Sequence, residues 1–174
     1  SVPANIDLLF VSPGLRMDLP LLLDAQQRRL PIFSDIDLFM QVCTGRVLGV
    51  TGSNGKSTVT SLLECMLAAA GVRVRAGGNL GTPALDLLGE DIDVYVLELS
   101  SFQLERSASL PLHAAVVLNL SPDHIDHHGS LVRYAEAKQR IYAGCHTAIV
   151  NRAEPALATT IPPAIPRIGF SLGK

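Results

Sequence analysis

Apolar positions fall along the chain in two kinds of run. Short, nearly unbroken ones occupy residues 7–11, 47–50, 94–99, 114–120 and 147–150. Apolar runs of this length, bounded by turn residues, predict strands in a sheet covered on both faces. Between them, apolar residues recur at helical spacing. The clearest case is 56–70, where Val59, Leu62, Leu63, Met66, Leu67 and Ala70 follow the i, i+3, i+4, i+7 pattern of one helix face. Cys65 falls inside that pattern and is read as packing, and Gly71 follows as a natural stop. Pro20 at a first-turn position and Pro31 beyond the far end bracket a helix over about 20–29. Ser34 and Asp37 have capping-box spacing, with aspartate in the usual Glu or Gln place, and start a helix through about Val42. Thr82-Pro83 starts a short helix to about Leu88, and Ser130 caps one running to about Ala143. Short strands are expected at 32–33, 72–76 and 168–170. Strands alternating with helices give an α/β fold, a mostly parallel sheet flanked by helices. Residues 1–34 read as the C-terminal part of one domain and 35–174 as the N-terminal part of a second, whose β–α units begin at residue 46.

One junction carries chemistry. The strand at 47–50 runs into Thr51-Gly52-Ser53-Asn54-Gly55, and Lys56-Ser57-Thr58 opens the long helix. The first N–H groups of a helix lack intrahelical acceptors and its dipole favours negative charge, so strand, glycine turn and helix start form an anion cradle. Gly52 and Gly55 let the backbone approach a phosphate, Lys56 would reach the outer phosphates, and Ser57 would offer a hydroxyl to Mg²⁺. The strict phosphate-loop pattern wants glycine at position 50, where Val50 stands.

Ligands of open α/β sheets sit beyond the carboxyl ends of the strands. The second glycine-rich loop at 77–81, Glu98 and the turn holding Asp123 and His124 would share that edge with the first loop. A carboxylate ending an apolar strand needs a partner; a salt bridge or a helix cap would be a structural one, and a Mg²⁺ beside Ser57 would supply a functional one to Glu98. His124 directly follows a strand-end turn and reads as functional, whereas His127 and His128 read as solvated loop residues. Lys138, in a helix with Arg133 and Arg140, reads from its spacing as part of a solvated basic face.

Net charge is -2, which gives no basic field for nucleic acid. Three widely spaced cysteines with no C-x-x-C argue against a metal knuckle or disulfide framework and for a reduced, cytoplasmic setting. No apolar run approaches the roughly 18 residues of a membrane span. The chain opens Ser-Val-Pro with no Met, so a fragment or processed chain is expected.

Five stretches in order carry a resemblance: Gly52-Ser53-Asn54-Gly55-Lys56-Ser57-Thr58, Gly78-Asn79-Leu80-Gly81, Glu98-Leu99-Ser100-Ser101-Phe102-Gln103-Leu104, Asn119-Leu120-Ser121-Pro122-Asp123-His124-Ile125-Asp126 and Ala137-Lys138-Gln139-Arg140-Ile141-Tyr142. Together they resemble the Mur ligase family of ATP-dependent amide-bond-forming enzymes. The stretch at 98–104 is most similar to the branch whose substrates are UDP-N-acetylmuramoyl-L-alanine and D-glutamate, in peptidoglycan synthesis. The family's loop, G-[ST]-N-G-K-[ST], accounts for Val50.

The resemblance implies a P-loop NTPase-like central domain preceded by the tail of a Rossmann-like, UDP-substrate-binding one, with a third domain absent. It implies that the loop from Gly52 to Thr58 holds ATP phosphates. Ser57 and Glu98 would bind one Mg²⁺, and His124 and a carbamylated Lys138 a second. Ser12, Gly14, Asn79, Gln103 and His124 would contact the UDP-sugar substrate, and Lys56, His124 and Lys138 would carry catalysis. A monomer is expected, and so incomplete a chain is expected not to ligate alone. Another Mur-type ligase, a folylpolyglutamate synthase, a P-loop kinase or a non-catalytic nucleotide-binding module stay open as alternatives.

Overall fold

A computed structural model describes residues 1–15, 18–107 and 110–171. Its strands form two sheets. Strand β1 (Leu9–Phe10) pairs in parallel with β2 (Ile32–Phe33), and helix α1 (Pro20–Gln27) connects them. Pro20 stands at the start of α1, where its fixed φ suits the helix and no N–H is missed. Residues 7–11 do not form the buried strand expected. Only two of them are strand, and Leu8 and Phe10 are exposed, because a two-stranded sheet with one covering helix leaves a face open.

Helix α2 (Asp35–Val42) begins at the expected capping box. Ser34 Oγ accepts from the Asp37 N–H at 3.1 Å, and Asp37 Oδ2 accepts from the Ser34 N–H at 2.8 Å. Its Ile36 and Phe39 are fully buried beneath the larger sheet, with Phe39 edge-on to Tyr95 at 5.1 Å between ring centroids.

The larger sheet contains β3 (Arg46–Thr51), β4 (Val74–Gly78), β5 (Val94–Glu98), β6 (Ala114–Val117), β7 (Ala148–Asn151) and β8 (Arg167–Phe170). All pairs are parallel, in the order β4-β5-β3-β6-β7-β8. The chain moves from β3 to one side, then crosses from β5 to β6 on the other. Right-handed crossovers in opposite directions put their helices on opposite faces. Helix α3 (Lys56–Ala69) covers Val50, Val96 and Val116 on one face. On the other, α2, α4 (Ser101–Arg106), α6 (Leu131–Gln139) and the 3-10 turn Arg140–Tyr142 enclose Val47, Leu97, Ala115 and Val117.

Several expectations shift. The apolar stripe of α3 is narrower than its sequence suggests: Val59, Leu63 and Leu67 pack on the sheet, while Leu62 and Met66 are exposed. Cys65 is exposed too, so it does not pack the core, and all three cysteines are free. Residues 84–87 form a 3-10 turn rather than an α-helix. Strand β4 starts at Val74 and runs through Gly77 and Gly78, because its partner β5 continues to Glu98. Strand β6 stops at Val117, three residues early, where the chain bends to the loop after β3. Helices α4 and α5 (Ile125–His128) had no periodic signal, being six and four residues long. Among the described residues no helix is long and apolar enough to cross a membrane.

Register aligns the carboxyl ends. Val50 and Gly78 both lie opposite Glu98, and Thr51 lies opposite Val117. The glycine loop, Glu98 and the loop after β6 therefore emerge at one edge.

Candidate functional site

The loop between β3 and α3 is held in shape by the chain's own hydrogen bonds. Gly55 takes φ +78°, a conformation that strains residues with a Cβ, and turns the chain into α3. The loop after β6 clamps it from the side. Asn119 accepts from the Asn54 N–H through Oδ1 at 2.9 Å and donates to the Asn54 carbonyl through Nδ2 at 3.0 Å. Its own carbonyl accepts from the Ser53 N–H at 3.1 Å. Ser53 Oγ accepts from the Ser121 N–H at 2.9 Å and donates to the Ser121 carbonyl at 3.0 Å. The N–H groups of Lys56, Ser57 and Thr58 open the helix and have no acceptor within it; the first intrahelical bond runs from the Val59 N–H to the Gly55 carbonyl at 3.0 Å. Lys56 Nζ folds back onto the Gly52 and Ser53 carbonyls, at 3.0 and 3.1 Å. A preshaped, cation-bearing cradle results.

Ser57 and Glu98 meet directly. Ser57 Oγ donates to Glu98 Oε2 at 2.7 Å, and the Glu98 side chain is almost fully buried. Glu98 Oε1 accepts from Asn79 Nδ2 at 2.9 Å, while the Glu98 carbonyl accepts from the Asn79 N–H at 2.8 Å. Asn79 thus orients the carboxylate rather than standing apart from it. The close approach depends on Gly78: a Cβ there would lie 2.4 Å from the Glu98 carbonyl oxygen. Two hard oxygens, one of them a buried carboxylate, fit a Mg²⁺ beside nucleotide phosphates. Ser57, Thr60, Glu64, Gly77, Thr82 and Glu98 line a cleft of ≈ 220 Å³ here.

Lys138 does not lie on a solvated basic face. It is 2% exposed, and its Nζ donates to the Gly52 carbonyl at 2.8 Å and approaches Thr51 Oγ1 at 3.4 Å. The Tyr134 ring lies beneath it, 4.7 Å from Nζ to centroid. Burial, reinforced by the Lys56 charge and only partly offset by Asp123 and Glu98, pulls its pKa down to about 7. Composition cannot reveal this, because burial depends on which side of α6 meets the sheet.

His124 is in the left-handed region (φ 50°, ψ 30°) at the start of α5. Its half-exposed ring lies against Phe102 at 5.1 Å and Tyr134 at 6.4 Å, with Asp123 Oδ2 3.5 Å from Nε2. His128 is not a solvated loop residue: its ring is buried, its Nε2 lies 3.0 Å from Ser101 Oγ, and burial lowers its pKa. His127 pairs with Glu105 at 3.1 Å. Gln103 Oε1 accepts from the Ser100 N–H at 2.9 Å, completing the capping box of α4. Ser12 and Gly14 are exposed in the turn after β1 of the small sheet, where the Leu15 N–H donates to the Ser12 carbonyl at 3.2 Å.

The structure therefore brings Lys56, Ser57, Asn79, Glu98 and Lys138 around the glycine loop. Sequence reasoning missed Asn119 and Ser121 as the loop's clamp, although both stand just after a strand on the ligand edge.

Residues 50–172 match the Mur ligase middle domain. A curated relative from Nitrosococcus oceani, a UDP-N-acetylmuramoylalanine--D-glutamate ligase, is 50% identical over 171 residues, which cover 98% of this chain and 38% of the relative. A Pseudomonas aeruginosa protein of the same name is 48% identical, over 95% of this chain and 37% of its own. The chain thus spans less than two fifths of the length of these relatives. Among solved structures, UDP-N-acetylmuramoyl-L-alanyl-D-glutamate--2,6-diaminopimelate ligase superposes with a TM-score of 0.64 at 20% identity, over 98% of this chain and 47% of that one. MurF ligase from Thermotoga maritima in complex with ADP superposes with a TM-score of 0.62 at 22% identity, over 87% and 45%. At that identity the superpositions establish a shared fold.

Proposed function

The chain belongs to the Mur ligase family, and on that premise we propose that it is the nucleotide-binding part of an ATP-dependent ligase joining D-glutamate to UDP-N-acetylmuramoyl-L-alanine. The name shared by its relatives at 48–50% identity supports that substrate pair over those of other Mur-type ligases or of folylpolyglutamate synthases. The observation that carries the reading is the convergence of a preshaped glycine loop, the Ser57–Glu98 pair and the buried Lys138 on one sheet edge.

In the proposed reaction the substrate carboxylate attacks the γ-phosphorus of ATP, the bond to the bridging oxygen breaks, and an acyl phosphate and ADP form. The D-glutamate amine then attacks the acyl carbon and expels phosphate, losing a proton as the amide forms. Phosphorylation is needed because a carboxylate has no good leaving group. The loop N–H groups of 56–58 and Lys56 hold and neutralise the phosphates, so positioning and charge stabilisation supply most of the catalysis. Ser57 and Glu98 would hold one Mg²⁺, and His124 with Lys138 a second. When bound, these ions would neutralise the phosphate and carboxylate oxygens as charge shifts between them. Lys138 as an amine donates hydrogen bonds and cannot ligate while protonated. Its proton leaves near pH 7, so Nζ can add to the carbon of CO₂ and release a proton, giving a carbamate whose single negative charge is shared by two oxygens.

We assign residues 1–34 to a substrate-binding domain and 35–174 to the ATPase domain. Ser12, Gly14, Asn79, Gln103 and His124 are the proposed UDP-sugar contacts. A monomeric, cytoplasmic protein goes with this reading, since ATP and UDP-linked precursors are cytoplasmic pools.

Calorimetry with Mg-ATP on the native chain and on Lys56→Ala tests the nucleotide site. Binding to the native chain, weakened at least tenfold in the variant, is expected. Equal affinity in both, or none in either, removes the phosphate-loop assignment. Incubation with ¹³C-bicarbonate should give a carbamate carbon signal that Lys138→Arg lacks.

A further inference from the structure

Beyond the phosphate loop, α4 and α5 place three ligand-type side chains together. Nitrogens of His127 and His128 and an oxygen of Glu105 all lie within 4.8 Å of one another. Glu105 Oε2 is 3.1 Å from His127 Nε2 and 4.0 Å from His128 Nδ1. A tetrahedral ion with bonds of ~2.0–2.1 Å holds its donors about 3.3 Å apart. Of the three pairs, Glu105–His127 already meets that spacing, and Glu105–His128 needs a closure of less than about 1 Å, within reach of a Glu105 side chain that is 41% exposed. The two imidazole nitrogens lie within 4.8 Å of each other, and a turn of the partly exposed His127 ring would bring them to the same spacing.

The histidine that cannot move is oriented for the task. His128 is buried, with 1% of its side chain exposed, and its Nε2 sits 3.0 Å from Ser101 Oγ. Nδ1 is the ring nitrogen turned toward the Glu105 carboxylate; in the tautomer whose Nε2–H donates to Ser101, Nδ1 presents a lone pair there, and a cation between the two would satisfy both. A ligating imidazole is usually held by a hydrogen bond from its far nitrogen to a carboxylate, carbonyl or water oxygen, and Ser101 Oγ offers an oxygen in that place. The Phe102 ring backs the group, 4.5 Å from the His127 ring and 5.5 Å from that of His128. Glu105 and His127 open to solvent, which gives an ion an entry path and leaves a coordination position for water.

We propose that Glu105, His127 and His128 form a transition-metal site that clips α5 to α4. Two imidazoles and one carboxylate suit Zn²⁺, Co²⁺, Ni²⁺ or Cu²⁺ over Mg²⁺, which prefers an all-oxygen shell. The site is separate from the Ser57–Glu98 pair and independent of the ligase reading. Its consequence is positional. The His127 and His128 N–H groups both donate to the His124 carbonyl, at 3.1 Å each, so an ion on these two rings braces the turn that carries His124.

The test uses Co²⁺ and Zn²⁺ alone, without nucleotide. Titration of the native chain with Co²⁺ should give the visible d–d absorption of a low-symmetry site at one equivalent. Zn²⁺ should displace it and raise the melting temperature. Glu105→Gln and His127→Asn, both at partly exposed positions, should each weaken Co²⁺ binding at least tenfold while leaving the metal-free melting temperature within about 2 °C. Glu98→Gln should leave Co²⁺ affinity unchanged. Absence of a one-equivalent spectrum, or equal affinity in native chain and both variants, overturns the proposal. So does a loss on Glu98→Gln matching the loss on Glu105→Gln, which would put the ion at the phosphate loop.

Discussion

Lys138 Nζ is buried behind the glycine loop, donating to the Gly52 carbonyl at 2.8 Å. An ammonium in that position loses its water, and the Lys56 charge adds to the cost, so the proton is held weakly. The group titrates near pH 7 folded and near 10.5 unfolded. Between those values the unfolded chain binds more protons, so stability gained from this group rises with pH across that window and is flat below it. In metal-free, CO₂-free buffer, the melting temperature of the native chain minus that of Lys138→Met should climb from pH 6.5 to 9.5. A difference that stays constant would show that the amine is not desolvated. Gly78 gives a second prediction at this scale. It combines φ +113° with a neighbouring carbonyl only 2.4 Å from where a Cβ would sit. Gly78→Ala should cost on the order of 2 kcal/mol or more in urea unfolding and weaken Mg-nucleotide binding, because Glu98 must shift. An unperturbed variant would mean that the β4–β5 approach is looser than it stands here.

Short helices dominate at the scale of elements. Helix α4 is six residues long, too short to be stable by propensity, and rests on its Ser100–Gln103 capping box and on buried Leu104. Ser100→Ala should cost about 1 kcal/mol by chemical denaturation. It should also loosen Glu105, and so Co²⁺ binding, without affecting the Lys56 cradle. If Co²⁺ affinity were kept while stability fell, α4 would not be the clip's rigid half. This capping box was present in the sequence as Ser-Ser-Phe-Gln yet gave no helix to a periodicity argument, since six residues span under two turns. The long elements behaved differently. Helix α3 and strands β3 and β5 were legible because continuous apolar runs and a fourteen-residue pattern leave few alternatives.

For the molecule as a whole, span bears on the proposed activity. The chain covers 38% of its Nitrosococcus oceani relative, and the proposed two-step ligation needs the nucleotide, the carboxylate acyl donor and the amine in one enclosed site. Phosphate release dependent on D-glutamate should therefore be absent from this chain alone, while calorimetry should still detect Mg-ATP binding. Measured turnover would show that the described residues suffice. The apolar Leu62 and Met66 on the outer side of α3, and Phe10 on the small sheet, remain exposed in this span.

The sequence by itself determined the α/β class, the parallel sheet, the glycine loop at a helix start and the family, because these rest on local pattern: apolar runs, capping spacing, and a glycine turn before a lysine and two hydroxyls. Tertiary structure alone decided which polar side chains share a site. It put Asn79 on Glu98, Asn119 on the glycine loop, Lys138 behind that loop, and His128 in contact with Ser101 and facing Glu105. Such pairings join residues 19 to 86 positions apart. They follow from strand order and from which helix face meets the sheet, and no window of sequence contains either.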